Sequence, residues 1–215
     1  MKAMNGMDSR TELKRYLSHR PELEGCLEKI HEATEAMSDC FANSGRVYLA
    51  GNGGSAADAE HWAGELLKGF YRSRPLSGSD LAGFSTDLGK RLQGGLPAIP
   101  LTSFPILRTA VLNDQGPDMD FAQLLWALGR PGDVFVAIST SGNAKNLLLA
   151  AEAAKARGLR IIALTGAGGG LLKSVADVWI GVPEVKTHLI QELHLSVYHA
   201  ISLVLEDRHF AESSA

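Results

Sequence analysis

The 215-residue chain is poor in cysteine and in net charge, and each shortage removes a class of function. Only Cys26 and Cys40 occur, with no CxxC pair and no third sulfur, so neither a thiolate metal site nor a disulfide framework is available. They read as reduced thiols of a cytoplasmic protein. The formal net charge of −3, from 21 Lys+Arg against 24 Asp+Glu, gives no electrostatic case for binding nucleic acid. No apolar run approaches the roughly 18 residues of a membrane span. Residues 1–8 lack the apolar core of a signal peptide, so nothing there predicts export. What remains is a composition of 45% apolar and 21% charged residues, enough to bury a core, at a length that fits one domain over residues 1–215. Glycine alone is in excess, at 23 residues. Roughly 7% would be typical, so the chain needs many tight turns or close backbone approaches.

Residues 11–41 space Leu13, Leu17, Leu23, Leu27 and Ile30 among charges, which predicts one or two amphipathic helices in an N-terminal arm over residues 1–44. From Val47 the pattern changes to short continuous apolar runs at 47–50, 98–101, 134–138, 161–164 and 178–180. Each is followed by small or glycine-rich residues and then a helical period. Continuous hydrophobicity means strands covered on both faces, and the helices between them supply right-handed crossovers. The expectation is an α/β, three-layer αβα sandwich with a five-stranded parallel sheet. Asn143 heads a helix over 144–157 that Gly158 stops. Residues 76–95 break this rhythm. They read as an inserted short helix over 81–92, either a lid or a solvated connection.

In such sheets ligands bind at the carboxyl ends of the strands, where helix N-termini present free amide groups. Two strand ends carry small polar residues: Gly51-Asn52-Gly53-Gly54-Ser55, and Ser139-Thr140-Ser141-Gly142-Asn143. Glycine lets backbone close on an anion and hydroxyls donate to its oxygens, although neither loop is a Walker A or GxGxxG motif. Two such loops on one sheet point to a phosphate. Gly166-Ala167-Gly168-Gly169-Gly170 has no hydroxyl and reads as a plain turn. His61 and Glu65 share a helical face, a spacing that taken alone means no more than a solvated contact. The last helix, over 187–205, has an apolar stripe and no charge between Glu192 and Glu206, so Gln191, His194, Ser196 and His199 must find partners. Gln191 and His199 lie about 80° apart around a helix and can converge. His188, Glu192 and His199 form a second row, and spacing does not choose between them.

Taken together, these segments resemble the sugar isomerase (SIS) family, and more closely its phosphoheptose isomerases. The likeness spans residues 47–205. It rests on Gly51-Asn52-Gly53-Gly54-Ser55-Ala56-Ala57-Asp58-Ala59-Glu60-His61 with Glu65, then Leu96-Pro97-Ala98-Ile99-Pro100-Leu101, Asn113-Asp114 and Gly132-Asp133-Val134. Ser139-Thr140-Ser141-Gly142-Asn143 and Gln191-Glu192-Leu193-His194 with His199 complete the ordered set. The resemblance implies an aldose–ketose isomerase converting sedoheptulose 7-phosphate to D-glycero-D-manno-heptose 7-phosphate, a step toward bacterial heptose precursors. It implies a homotetramer with active sites built across subunits, and one Zn²⁺ per subunit. Carried over by motif, Glu65 is the base and His199 its acid/base partner, and His61, Glu65, Gln191 and His199 are the metal set. Asn52, Gly53, Gly54, Ser55, Asn113, Asp114, Ser139, Thr140, Ser141 and Gln191 are the substrate-binding positions. The chain departs from the family pattern at Ala144, where a serine is usual, at Lys68-Gly69, where an arginine is common, and at Leu189, again for arginine. Non-catalytic relatives, phosphosugar-sensing regulators and replication-initiator-associating proteins, resemble this chain in fold but lack the Glu/His pair. Glu65 and His199 together favour the enzyme, and a pentose or hexose phosphate is the remaining alternative substrate.

Overall fold

The computed structural model describes residues 8–210. The N-terminal segment forms two helices, α1 (Ser9–Tyr16) and α2 (Leu27–Ala42), separated by a 3₁₀ turn that Pro21 opens at Pro21–Cys26. Then come β1 (Val47–Gly51), α3 (Gly54–Leu67), the short α4 (Ser79–Ala82) and α5 (Leu88–Arg91), β2 (Ala98–Pro100), α6 (Pro105–Asp114) and α7 (Asp120–Leu128). The chain continues through β3 (Val134–Ser139), α8 (Lys145–Ala156), β4 (Arg160–Thr165), α9 (Leu172–Val175), β5 (Val178–Gly181) and α10 (Thr187–Phe210). The five strands are all parallel, in the order β2-β1-β3-β4-β5. Each coincides with one of the five apolar runs.

Every residue of β1 and β3 is buried, which is why their hydrophobicity is continuous. Val47, Leu49, Val134, Val136 and Ile138 face one core, shared with α1, α2, α3 and α10. Tyr48, Ala50, Phe135 and Ala137 face a second core, under α7 and α8. Leu13, Leu23, Ile30 and Met37 lie inside the first core, so the expected N-terminal arm is packed into the layer beside α10. From β1 the chain steps to β2 at one edge, then returns past β1 to β3. Strand order therefore reverses between β1 and β3, and the crevice at their carboxyl ends is where such a sheet takes a ligand.

The inserted segment differs from the expected single helix over 81–92. Gly83 and the Ser85-Thr86-Asp87 turn split it into α4 and α5, with Thr86 Oγ1 accepting the N–H of Leu88 at 3.3 Å. Its neck is closed by an antiparallel bridge between Pro75 and Gln93. Helix α10 continues to Phe210, beyond the expected end at 205, and carries the buried Glu206.

That carboxylate is paired with Arg74, whose Nε donates to Oε1 at 2.8 Å, and the two side chains are 0% and 1% exposed. Glu206 also accepts the N–H groups of Phe70, Tyr71 and Arg72, at 2.9, 3.0 and 3.0 Å. Burial by itself would raise the Glu206 carboxyl. The three backbone donors and the guanidinium outweigh it and hold the pKa below the ordinary 4.5. A carboxylate depressed in the folded state contributes stability that is complete above pH 4.5 and lost as pH falls through its folded value. Glu206→Gln is expected to cost about 3–5 kcal/mol at pH 7, because it strands a buried guanidinium. The variant should also lose stability less steeply between about pH 5 and pH 3 than the parent, by denaturant unfolding at each pH. Parallel stability curves would show that Glu206 does not hold its charge through the pair.

Candidate active site

Helix α3 leaves β1 through a loop that only glycine permits. A Cβ on Gly51 would lie 2.3 Å from the carbonyl oxygen of Ser55, and Gly53 takes φ +56° just before the helix. Gln191, from the first turns of α10, lays its amide on this loop: a Cβ on Gly54 would come within 2.3 Å of its Nε2. Two turns into α3, His61 Nε2 meets Glu65 Oε1 at 2.9 Å. His199 approaches from α10, its ring centroid 5.2 Å from that of His61 and nearly perpendicular to it. One ligand atom from each of His61, Glu65 and His199 lies within 4.8 Å of the others, a grouping able to hold a metal ion. His199 Nε2 is buried without a hydrogen-bond partner among the described residues. Burial, and then the neighbouring His61, lower the pKa of this imidazole below the ordinary 6.5, so it is neutral at neutral pH.

Three further groups, Asp58, Phe70 and Tyr198, complete this centre. Tyr198 Oη lies 2.9 Å from His61 Nδ1 and 3.5 Å from Asp58 Oδ1. The Glu65 carboxylate can only accept, so His61 Nε2–H donates to it and Nδ1 accepts the Tyr198 hydroxyl. Burial pushes the Asp58 carboxyl up to about 6. Phe70 lies against the ring of His199 at 5.1 Å between centroids. Asp58 is one turn before His61 on α3, a legible spacing, but Tyr198 sits inside an apolar stripe and reads as core.

The second loop is built by close backbone packing. Ser139 Oγ accepts the Gly142 N–H at 3.1 Å, and Ser141 Oγ accepts the Asn143 N–H at 3.2 Å. Gly142 has φ +68°, and a Cβ there would lie 2.0 Å from the carbonyl oxygen of Gly169. Leu172 N–H donates to Gly142 O at 3.0 Å, and Leu171 N–H to Asn143 Oδ1 at 3.0 Å. The glycine run at 166–170, expected as a plain turn, is therefore the platform on which the serine loop rests. The first loop is joined to the first turn of α8 by a reciprocal amide pair, Asn52 Nδ2 to Asn146 Oδ1 at 2.9 Å and Asn146 Nδ2 to Asn52 Oδ1 at 3.0 Å.

The structure thus brings Asn52, Gly53, Gly54, Ser55 and Gln191 to one wall, with His61, Glu65 and His199 farther along α3 and α10. Ser139, Thr140 and Ser141 form the loop across the crevice. Asn113 and Asp114 are not drawn in. They end α6, hydrogen-bonded to each other at 2.8 Å and to none of the other expected site residues among those described. His188 and Glu192 are exposed, so the second helical row is not used. Ser196 Oγ accepts from Arg20 Nε at 3.1 Å, while His194 is fully buried and held neutral by burial, its pKa lowered to about 4. Ala144 precedes α8 with no side-chain cap, and Lys145 beside it pairs with Asp118 at 2.7 Å. Gly69 replaces the common arginine because a Cβ there would lie 2.3 Å from the Arg72 carbonyl oxygen. Among the described residues no helix is long and apolar enough to cross a membrane.

Comparison with known proteins agrees with this fold. The family model described as "SIS domain" matches residues 14–166. The phosphoheptose isomerase of Rhodospirillum rubrum is 41% identical over 182 residues, covering 85% of this chain and 87% of that one. The phosphoheptose isomerase of Aneurinibacillus thermoaerophilus is 37% identical over 187 residues, covering 87% and 85%. Among solved structures, the phosphoheptose isomerase from Neisseria gonorrhoeae superposes with a TM-score of 0.71 at 34% identity, over 92% of this chain and 93% of that one. With a matching family model over most of its length and such identities across nearly the whole of both chains, the protein belongs to the SIS domain family and stands among its phosphoheptose isomerases.

Proposed function

We propose that the protein is an aldose–ketose isomerase that converts sedoheptulose 7-phosphate to D-glycero-D-manno-heptose 7-phosphate through an enediol, in the cytoplasm. The observation that carries this reading is the meeting of Glu65 with His61 and His199 between α3 and α10, on a parallel sheet whose strand ends carry two hydroxyl- and glycine-rich loops. Moving a proton between C1 and C2 needs a base beside the α-carbon and a second group that exchanges protons between the two oxygens. Glu65 suits the first role, because Oε1 is held by His61 and Oε2 is left for the substrate proton. His199, neutral because it is buried, suits the second, accepting and returning a proton. Asn52, Gly53, Gly54, Ser55, Ser139, Thr140 and Ser141 would hold the phosphate and sugar hydroxyls with backbone and side-chain donors, which needs no lysine.

Two imidazoles, one of them with the buried, unpartnered Nε2 of His199, and one carboxylate make a donor set that suits zinc. His61, Glu65 and His199 would hold the ion; Gln191, expected as a fourth ligand, lies against Gly54 about 12 Å along α10 from His199 and is not drawn into this grouping. When bound, the ion would polarise the substrate carbonyl and stabilise the negative charge that develops on its oxygen. Zinc at His61 Nε2 would take the place of its proton, and the remaining Nδ1–H would then donate to Tyr198 Oη, 2.9 Å away.

We also assign a homotetramer with sites completed across subunits. Helix α6 supports this reading: Ile106 is 82% and Leu112 57% exposed on the helix that ends in Asn113 and Asp114. A neighbouring copy covering α6 would bury this apolar face and bring those two residues to a second site.

Purified protein is expected to convert sedoheptulose 7-phosphate to the aldose, followed by coupled assay or NMR. Glu65→Gln and His199→Gln should each lower kcat by about 10²–10⁴-fold while the oligomer persists. Unchanged rates in both variants would sink the mechanism. No turnover of any five- to seven-carbon ketose phosphate, with or without zinc, would turn the assignment to a phosphosugar-binding protein.

Metal analysis should find one zinc per subunit, removed by chelation and reduced by His61→Ala at least about tenfold in affinity. Retention of full zinc affinity in that variant would move the metal elsewhere. Light scattering is expected to give a tetramer, and Ile106→Glu should shift it to smaller species. A monomeric parent would refute the shared site.

A further inference from the structure

The two groups proposed to move the proton come from different helices, Glu65 from α3 and His199 from α10, so their separation depends on how those helices are held together. Resting on the isomerase reading above, we propose that Arg74 is the positioning residue that sets this separation: a rigid brace from the backbone of Glu65 to the helix that carries His199.

The guanidinium spends its donors in three directions. Nη2 donates to the Glu65 carbonyl at 3.1 Å and Nη1 to the Leu66 carbonyl at 2.8 Å, while Nε donates to Glu206 at 2.8 Å. Helix α3 ends at Leu67, and its last carbonyls have no partner within the helix. Arg74 takes two of them and places a positive charge where the helix dipole is negative. Its third arm reaches Glu206, seven residues beyond His199 and therefore about two turns along the same helix face. The brace is thus short and made of planar groups, with both its side chains excluded from water.

Glu206 adds a second line of control. By accepting the N–H groups of Phe70, Tyr71 and Arg72 it fixes the turn that follows α3. That turn presents Phe70 to the ring of His199, at 5.1 Å between centroids. One buried pair therefore restrains Glu65 through its own carbonyl and His199 through both its helix and its aromatic neighbour. Lysine cannot replace the fork: an ammonium keeps the charge but cannot hold this planar set of three acceptors. Arg74 touches neither proposed substrate atoms nor the cluster's ligand atoms, so it acts only through the groups it holds.

The test separates positioning from simple stability. Three proteins are compared: the parent, Arg74→Lys, and the double variant Arg74→Met with Glu206→Gln, which removes the charges while keeping an acceptor for the Phe70–Arg72 turn. Thermal unfolding reports folding, chelator competition reports zinc affinity, and steady-state kinetics with sedoheptulose 7-phosphate report kcat and KM. Arg74→Lys is expected to bind zinc at least about tenfold more weakly, in the range seen for outer partners of metal ligands, and to lose kcat with little change in KM. The double variant should recover most of the Tm but neither zinc affinity nor kcat. A double variant that regains parental zinc affinity and kcat along with its Tm overturns the proposal. Should the parent bind no zinc, the metal assignment fails alone, and a selective fall in kcat still supports the brace. Crystal structures give a readout independent of both: a Glu65–His199 separation unchanged in a folded double variant refutes it.

Discussion

The buried pair of Arg74 and Glu206 is the constraint on which the geometry of the site depends. An uncompensated charge in this position would cost several kcal/mol, and the pair is tolerated because its polar atoms are widely satisfied. The guanidinium binds two carbonyls and a carboxylate, and the carboxylate binds three backbone N–H groups. Each of those partners belongs to a different part of the site: the end of α3, the turn carrying Phe70, and the helix carrying His199. Removing one member would leave the other buried and unpaired, so the pair couples folding to the shape of the proposed catalytic centre.

The sheet imposes the second constraint. The reversal of strand order between β1 and β3 opens a crevice, and the chain lines it with backbone and small side chains. Glycine at 51, 142 and 169 lets three loops approach at distances that a Cβ would forbid. Polar groups at the rim are then held by neighbours, as in the reciprocal bonding of Asn52 with Asn146. Such a cradle suits one small polyhydroxylated anion, which agrees with a chain whose net charge is close to neutral.

Much of this is legible in the order of residues alone. The five apolar runs predict the strands because a strand covered on both faces has no polar side to interrupt it. The two hydroxyl-rich loops are legible because glycine, serine and asparagine cluster where backbone must close on a ligand. The inserted segment differs: the periodicity of 81–92 suggests one helix, and the breaks at Gly83 and Thr86 divide it into two. Helix α10 runs past its expected end at 205, because Glu206 looks like the close of an apolar stripe until its partner is known.

What the sequence by itself determined was the layer architecture and the two loops, while family likeness pointed to His61, Glu65, Gln191 and His199. Periodicity and local composition carry the first two, and they survive without knowing which residues meet. Tertiary structure alone decided the brace and the contact of Tyr198 with His61. Arg74, Phe70 and Tyr198 are single residues with no period, and Arg74 lies 132 positions from the carboxylate that makes its burial tolerable. It also decided that Asn113 and Asp114 stand apart on α6. Contacts between distant positions follow from how α3 and α10 pack against each other on one face of the sheet, and no local pattern in the chain encodes that packing.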